Sequence, residues 1–205
     1  MTKPAGVILA GGRGMRMGGR DKALLPLGGI ALAERARQRL TPQVAALAIN
    51  TNSALPHANL GLPVVADTLP GHQGPLAGIL AAMLWAQSQT GCDRLVTVSC
   101  DTPFFPADLA ARLDAARSEQ TPIALAASLG HTHPVFGLWS LDLMDTLRHH
   151  LETSENRSVM HFAEKIGWTG VAFQPMVMHG RTVDPFFNIN TPAELAEAED
   201  YLAGS

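Results

Sequence analysis

Short apolar runs alternate with longer amphipathic segments along almost the whole chain, and this alternation most narrows the folds open to it. Gly6-Val-Ile-Leu-Ala10 is a continuous apolar run stopped by Gly11-Gly12, the pattern of a strand buried on both faces. Val44–Asn50, Pro63–Ala66 and Arg94–Cys100 read as three more strands. Between and after them lie the helical segments Ala31–Leu40, Pro75–Ser88 and Pro106–Arg117, with Pro75 in a first turn where a missing N–H costs nothing. Pro122–Ala127 and Pro134–Trp139 read as strands joined through Gly130-His-Thr, which suggests a hairpin and so a mixed sheet. Leu141–Leu151 and Ser158–Ile166 read as helices and Thr169–Phe173 as a strand. Thr191–Leu202 is the last helix, capped by Thr191 with Pro192 at its first position. Strand, loop and helix in repetition predict an α/β fold, a three-layer α/β/α sandwich with a mostly parallel mixed sheet. No repeat, low-complexity tract or linker interrupts the pattern, so residues 1–205 are expected to form one domain.

Composition excludes several function classes. Fifteen Lys and Arg stand against 18 Asp and Glu, a net charge of −3, which argues against a protein that grips nucleic acid by overall charge. Tyr201 and the three tryptophans are too scattered for a base-stacking platform. Cys92 and Cys100 form no C-x-x-C pair, and each is expected to be a small buried apolar residue. The eight histidines show no metal-ligand spacing. His131 and His133 flank the expected hairpin turn, and His149-His150 lie at a helix end, where a cationic imidazole suits the dipole. The apolar run before Gly11 is short for a signal peptide, and Leu76–Ala86 is half a membrane span. A soluble, cytoplasmic protein with no membrane or nucleic-acid partner is expected.

In a sheet of this kind ligands bind outside the carboxyl ends of the strands, so the residues after each strand carry the interest. The first such loop runs from Leu9 to Lys22. It holds five glycines in the nine positions Gly11–Gly19, and four cations, Arg13, Arg16, Arg20 and Lys22. Glycines let backbone amides approach and turn toward an anion, and cations neutralise it, so the loop is suited to phosphates. A P-loop would need Lys then Ser or Thr after Gly19, where Arg20-Asp21 stand. The dinucleotide fingerprint fails too: Gly18 lies one residue too far from Gly14, and the second strand ends in Asn50 rather than an acid. A GTP-dependent switch protein and a nicotinamide oxidoreductase are thereby disfavoured.

A third template fits. Leu9-Ala-Gly-Gly-Arg-Gly-Met-Arg16 with Lys22 resembles the nucleotidyltransferase signature. Sugar-phosphate nucleotidyltransferases share its opening but carry a longer stretch before a Pro-Lys pair. Here Gly18-Gly-Arg-Asp-Lys22 followed by Leu24-Leu-Pro-Leu27 is similar to the molybdenum cofactor guanylyltransferases. Later motifs resemble the same family in order: Asp67, Gly74-Pro-Leu-Ala-Gly78, Ser99-Cys-Asp-Thr-Pro103, Asn156-Arg157 and Phe187-Asn-Ile-Asn-Thr-Pro192. The resemblance covers nearly the whole chain, from Val7 to about Leu202.

The resemblance implies a Rossmann-like nucleotidyltransferase fold. It also implies a Mg²⁺-dependent guanylyltransferase that moves GMP from GTP to Mo-molybdopterin, yielding the guanine dinucleotide cofactor and pyrophosphate. Arg16, Lys22 and Asp101 would be catalytic, with Asp101 holding Mg²⁺. Leu9, Ala10, Gly11, Gly12, Lys22, Asn50, Asp67 and Asp101 would bind the nucleotide, and Arg157, Asn188 and Asn190 the acceptor. The first half of the chain would then serve GTP and the second half molybdopterin. Because free molybdopterin is oxidatively fragile, handover from molybdenum insertion proteins or to molybdoenzyme chaperones is implied as well. Alternatives stay open at this stage: a cytidylyltransferase for the same cofactor, or a sugar-phosphate nucleotidyltransferase. For single residues, Asn50 could simply cap a turn, and Asn188 and Asn190 could serve the cap of the last helix. Arg13 and Arg20 are expected to be exposed or peripheral.

Overall fold

The computed structural model describes residues 2–11, 21–53, 60–69, 74–89 and 91–203. In chain order its elements begin with β1 (Ala5–Leu9), the two-residue strands β2 (Pro26–Leu27) and β3 (Ile30–Ala31), and α1 (Leu32–Leu40). Next come β4 (Ala46–Asn50), β5 (Val64–Val65), α2 (Pro75–Gln89), β6 (Arg94–Ser99) and α3 (Leu109–Ala116). The second half holds β7 (Ile123–Ser128), β8 (His131–Ser140), α4 (Met144–Thr153), α5 (Val159–Ile166) and β9 (Trp168–Ala172). β10 (Met176–Met178), β11 (Arg181–Val183) and α6 (Pro192–Ala203) complete it.

Seven strands form one sheet in the order β5-β4-β1-β6-β8-β7-β9, and β8 alone runs against the rest. The mostly parallel mixed sheet expected from the sequence is therefore present, with helices on both faces. β1 shows how the alternation of a strand builds two layers: Ile8 enters a core with α1 and α3, while Ala5, Val7 and Leu9 enter a core with α2, α4 and α5. α2 explains its own apolar sequence, since nine of its residues from Leu76 to Ala86 are buried against the sheet. From β1 the chain steps outward to β4 and β5, then crosses back to β6 on β1's other side. The strand order thus reverses between β1 and β6, and their carboxyl ends flank the crevice where such sheets bind ligands.

Several sequence expectations need correction. The turn between β7 and β8 is the pair Leu129-Gly130, both at positive φ, rather than Gly130-His-Thr. The helix expected from Leu141 opens as a 3-10 turn, Leu141–Leu143, before α4. Cys100 is buried as expected, but Cys92 is only half-buried. His150 is a buried residue whose imidazolium is disfavoured by desolvation, so the helix-dipole reading does not hold for it. Its Nε2 lies 3.0 Å from the Asn156 carbonyl. Two small hairpins, β2–β3 and β10–β11, were not anticipated, although Gly28-Gly29 and His179-Gly180 are turn signals. They close a third core around Leu27, Leu32, Phe104, Val183 and Ile189, which α6 joins through Ala198. Among the described residues no helix is long and apolar enough to cross a membrane.

Candidate active site

Asp101 follows β6 directly, at the carboxyl end of the sheet. Its Oδ1 accepts from the Ser99 hydroxyl, and its carbonyl accepts the Ile189 amide at 2.9 Å. The adjacent Cys100 amide donates to the Leu9 carbonyl at 3.2 Å, tying the ends of β6 and β1 together. Burial pushes the Cys100 thiol pKa well up, so this sulfur is a neutral packing group and not a nucleophile.

Lys22 begins a 3-10 turn, Lys22–Leu24, whose N-cap is the Asp21 carboxylate accepting from the Ala23 amide at 3.0 Å. Ala23 is buried in the core shared with α1, and this anchors the backbone of Lys22. The Lys22 ammonium donates to Asp101 Oδ2 at 2.6 Å and to Asn190 Oδ1 at 2.7 Å. Three residues separated by 79 and 168 positions thus meet around one nitrogen. Asn190 is held from behind by its own amide, which donates to Glu194 Oε2 at 2.6 Å. Thr191 and Glu194 form a reciprocal cap on α6, with Thr191 N to Glu194 Oε2 at 2.8 Å and Glu194 N to Thr191 Oγ1 at 3.2 Å. These backbone donors hold the Glu194 carboxyl below its usual pKa.

Asn50 and Asp67 form a second cluster on the far side of β1. Asn50 is buried and donates from Nδ2 to the Val65 carbonyl and to Asp67 Oδ1, both at 3.0 Å. Asp67 Oδ2 accepts from Asn52 at 3.0 Å, and the Asp67 amide returns to Asn52 Oδ1 at 2.9 Å. α2 passes so closely that a Cβ at Gly78 would lie 2.3 Å from Asn50 Oδ1 and 3.2 Å from Leu9 Cδ2. Gly78 is therefore required by close approach. Sequence reasoning missed Asn52, although Asn50 and Asn52 at alternate positions were a readable signal.

Leu9 is buried at the strand end, and the Ala10 amide donates to the Asn50 carbonyl at 2.9 Å. That amide is engaged by the sheet and is not available to a phosphate. Gly11 is exposed, and a Cβ there would come 3.7 Å from Asn50 Oδ1. Gly12, Arg13, Arg16 and Arg20 lie outside the described residues. Arg157 is half-buried, with its carbonyl 3.9 Å from where a Gly74 Cβ would stand. Its Nη1 is buried and meets no hydrogen-bond acceptor among the described residues. Asn188 is exposed, while Ile189 between the two asparagines is fully buried. The structure therefore brings Asn190 to Lys22 and Asp101, and Arg157 to the start of α2, so residues of the two halves interleave.

The arrangement offers a hard carboxylate oxygen, an ammonium and an amide around one point of a crevice. That set suits charge neutralisation on phosphate oxygens. Among the described residues no three His, Cys, Asp or Glu converge as a self-sufficient metal cage. Asp101 already holds a cationic group on Oδ2. One carboxylate supplemented by substrate phosphates is a donor set that Mg²⁺ accepts.

Comparison with known proteins establishes the family and the fold. The chain is 46% identical over 200 residues to the molybdenum cofactor guanylyltransferase of Mesorhizobium japonicum, covering 97% of this chain and 95% of the relative. It is 48% identical over 198 residues to that of Rhizobium leguminosarum bv. trifolii, covering 97% and 92%. The molybdopterin-guanine dinucleotide biosynthesis protein A structure from Archaeoglobus fulgidus superposes with a TM-score of 0.72 at 20% identity, over 98% of this chain and 100% of that one. A CMP:2-keto-3-deoxy-manno-octonic acid synthetase complexed with CTP superposes with a TM-score of 0.71 at 14% identity, over 98% and 99%. These two likenesses show the nucleotidyltransferase-like α/β fold. Residues 6–166 match the MobA-like NTP transferase domain, and the chain belongs to that family, among the molybdenum cofactor guanylyltransferases.

Proposed function

We propose that this protein transfers GMP from GTP to Mo-molybdopterin, forming the guanine dinucleotide cofactor and releasing pyrophosphate. The observation that carries the chemistry is the convergence of Asp101 and Asn190 on the Lys22 ammonium, at 2.6 and 2.7 Å. The terminal phosphate of molybdopterin attacks the α-phosphorus of GTP. A P–O bond forms there as the bond from the α-phosphorus to the bridging oxygen breaks and pyrophosphate leaves. The acceptor phosphate is already an anion, so the reaction needs alignment and charge stabilisation rather than a general base.

Lys22 supplies positive charge at the point of transfer, and its contact with Asn190 orients it toward the acceptor. Asp101, braced by Ser99, is the residue that would hold Mg²⁺. When bound, the ion would neutralise phosphate oxygens and the charge on leaving pyrophosphate. Leu9 and Gly11 line the nucleotide's approach, and Gly12, outside the described residues, is assigned to the nucleotide from the motif it shares with the family. Ala10 contributes through groups other than its engaged amide, and Arg16 adds a cation to the triphosphate. Asn50 and Asp67 support the nucleotide side from their buried network. Arg157, whose Nη1 meets no acceptor among the described residues, and Asn188 with Asn190 serve the phosphate-bearing pterin, where the planar guanidinium offers paired donors. Protein-to-protein handover of molybdopterin by insertion proteins or molybdoenzyme chaperones belongs to the same reading, supported by the fragility of the free cofactor.

The test is pyrophosphate release with each of the four nucleoside triphosphates, with and without molybdopterin. Release is expected with GTP only, and only when molybdopterin is present. A site that hydrogen-bonds its base rejects the others because its own polar groups are left unpaired. Preference for CTP would overturn the guanylyl assignment in favour of a cytidylyltransferase.

A further inference from the structure

The β7–β8 hairpin carries polar groups that the transfer reaction does not use. β8 last pairs with β6 at Thr97↔Gly137, and β6 ends two residues later at Ser99, so the start of β8, from His131, reaches beyond the carboxyl end of β6 on the ligand side of the sheet. Within the hairpin the register jumps from Leu125↔Gly137 to Ala126↔His133. On the turn side of that bulge the Leu129-Gly130 turn sets the pairing from Ser128↔His131 to Ala126↔His133, and His133 Nε2 lies 2.7 Å from Ser128 Oγ. The buried Ser128 hydroxyl in turn donates to Asp184 Oδ1 at 2.6 Å.

Proton counting orders this chain of contacts. An ionised carboxylate only accepts, so the single Ser128 proton is committed to Asp184. The Ser128 oxygen then has only lone pairs to offer, and His133 must donate from Nε2. Asp184 opens the segment that reaches the active site. Its Oδ1 also accepts the Phe186 amide at 2.9 Å, and its carbonyl closes a turn with the Phe187 amide at 3.0 Å. Phe186 stacks on His133 with ring centroids 4.5 Å apart. The far end of the same segment docks through the Ile189 amide on the Asp101 carbonyl and through Asn190 on Lys22. Residues 184–190 are thus a strap tied at one end to the hairpin and at the other to the centre of the active site.

We propose that His133, Ser128 and Asp184 form a positioning relay that sets this strap, and through it Asn188 and Asn190, for the acceptor substrate. The proposal rests on the reading that those asparagines contact molybdopterin. Ser128→Ala leaves His133 Nε2 without the Ser128 acceptor and Asp184 Oδ1 with the Phe186 amide alone, at two half-buried positions. The full-length Ser128→Ala protein should show a KM for molybdopterin raised roughly tenfold, with GTP affinity within about twofold of the parent. Asp184→Asn keeps Oδ1 as an acceptor for both Ser128 and Phe186 and should behave like the parent. Asp184→Ala should reproduce the Ser128→Ala defect. In the unaltered protein, nitrogen NMR should find neutral His133 as the Nε2–H tautomer.

Each arm can overturn the proposal. An Nδ1–H tautomer at His133 removes the relay whether or not the variants fold. Equal losses of GTP and molybdopterin binding in Ser128→Ala reduce it to general stability, as does Asp184→Asn failing like Asp184→Ala. If Asn190→Ala raises the KM for molybdopterin while Ser128→Ala does not, the relay falls and the acceptor reading stands. If Asn190→Ala leaves that KM unchanged, the acceptor reading falls and takes the relay with it.

Discussion

Gly78→Ala pits two opposed effects against each other. Gly78 lies within α2, where alanine alone would favour the helix by about 1 kcal/mol. The added Cβ would stand 2.3 Å from Asn50 Oδ1 and 2.9 Å from Asn50 Cγ, so the asparagine must move. Moving it breaks the Nδ2 bonds to the Val65 carbonyl and to Asp67 Oδ1, both at 3.0 Å. Buried hydrogen bonds left unmade cost about 1–3 kcal/mol each, so the loss outweighs the helix gain by about 2 kcal/mol. For a chain of this length that lowers Tm by roughly 4–8 °C. Asn50→Ala removes the nearest obstacle as well as the bonds and leaves only the 3.2 Å approach to Leu9 Cδ2, so in that background Gly78→Ala should become stabilising by up to about 1 kcal/mol. The assay is denaturant and thermal unfolding of the four proteins of this double-mutant cycle. A Gly78→Ala single variant as stable as the parent would refute the close-approach argument. The same effect in both backgrounds would refute the role of Asn50.

Further outcomes follow from particular contacts. Asp101→Ala should lower pyrophosphate release more than about 100-fold while the fold persists, as for loss of a main electrostatic stabiliser; near-normal turnover would remove Asp101 from the centre. Thr97→Val should destabilise by about 2–3 kcal/mol, read by denaturant unfolding followed through tryptophan fluorescence. Its buried hydroxyl donates to the Val135 carbonyl at 2.8 Å and accepts the Trp139 indole N–H at 3.1 Å and the Gly137 amide at 3.3 Å. Stability should also fall as pH drops below about 6.5. Burial holds His150 below that ordinary value in the folded state, so the unfolded chain takes up the proton first, and the loss grows until the folded pKa is reached. His133 carries the same sign, again chiefly from burial. Tm measured at pH 7.5 and 5.5 should differ less in His150→Asn than in the parent, and equal differences would count against His150.

Local order was legible in the residues because strands and helices announce themselves within a few positions. The run Gly6–Ala10, the apolar α2 and the Thr191-Pro192 start of α6 all carry their signals in neighbouring side chains. The rule that ligands meet strand ends singles out Asn50, Asp67 and Asp101 from the sequence alone. The two-residue strands of β2–β3 and the three-residue strands of β10–β11 were not legible, because so few residues cannot display a period. What the tertiary structure alone decided is which distant groups share one space. Lys22, Asp101 and Asn190 are far apart in the chain, and nothing in their neighbours shows that one ammonium links all three. The strap 184–190 returns to the end of β6 for the same reason, so Asn190 from the second half of the chain meets Lys22 and Asp101 from the first. The link from Ser128 to Asp184, and the close pass of Gly78 over Asn50, likewise depend on packing between elements. Propensity acts along the chain, and such contacts are settled only when the sheet closes.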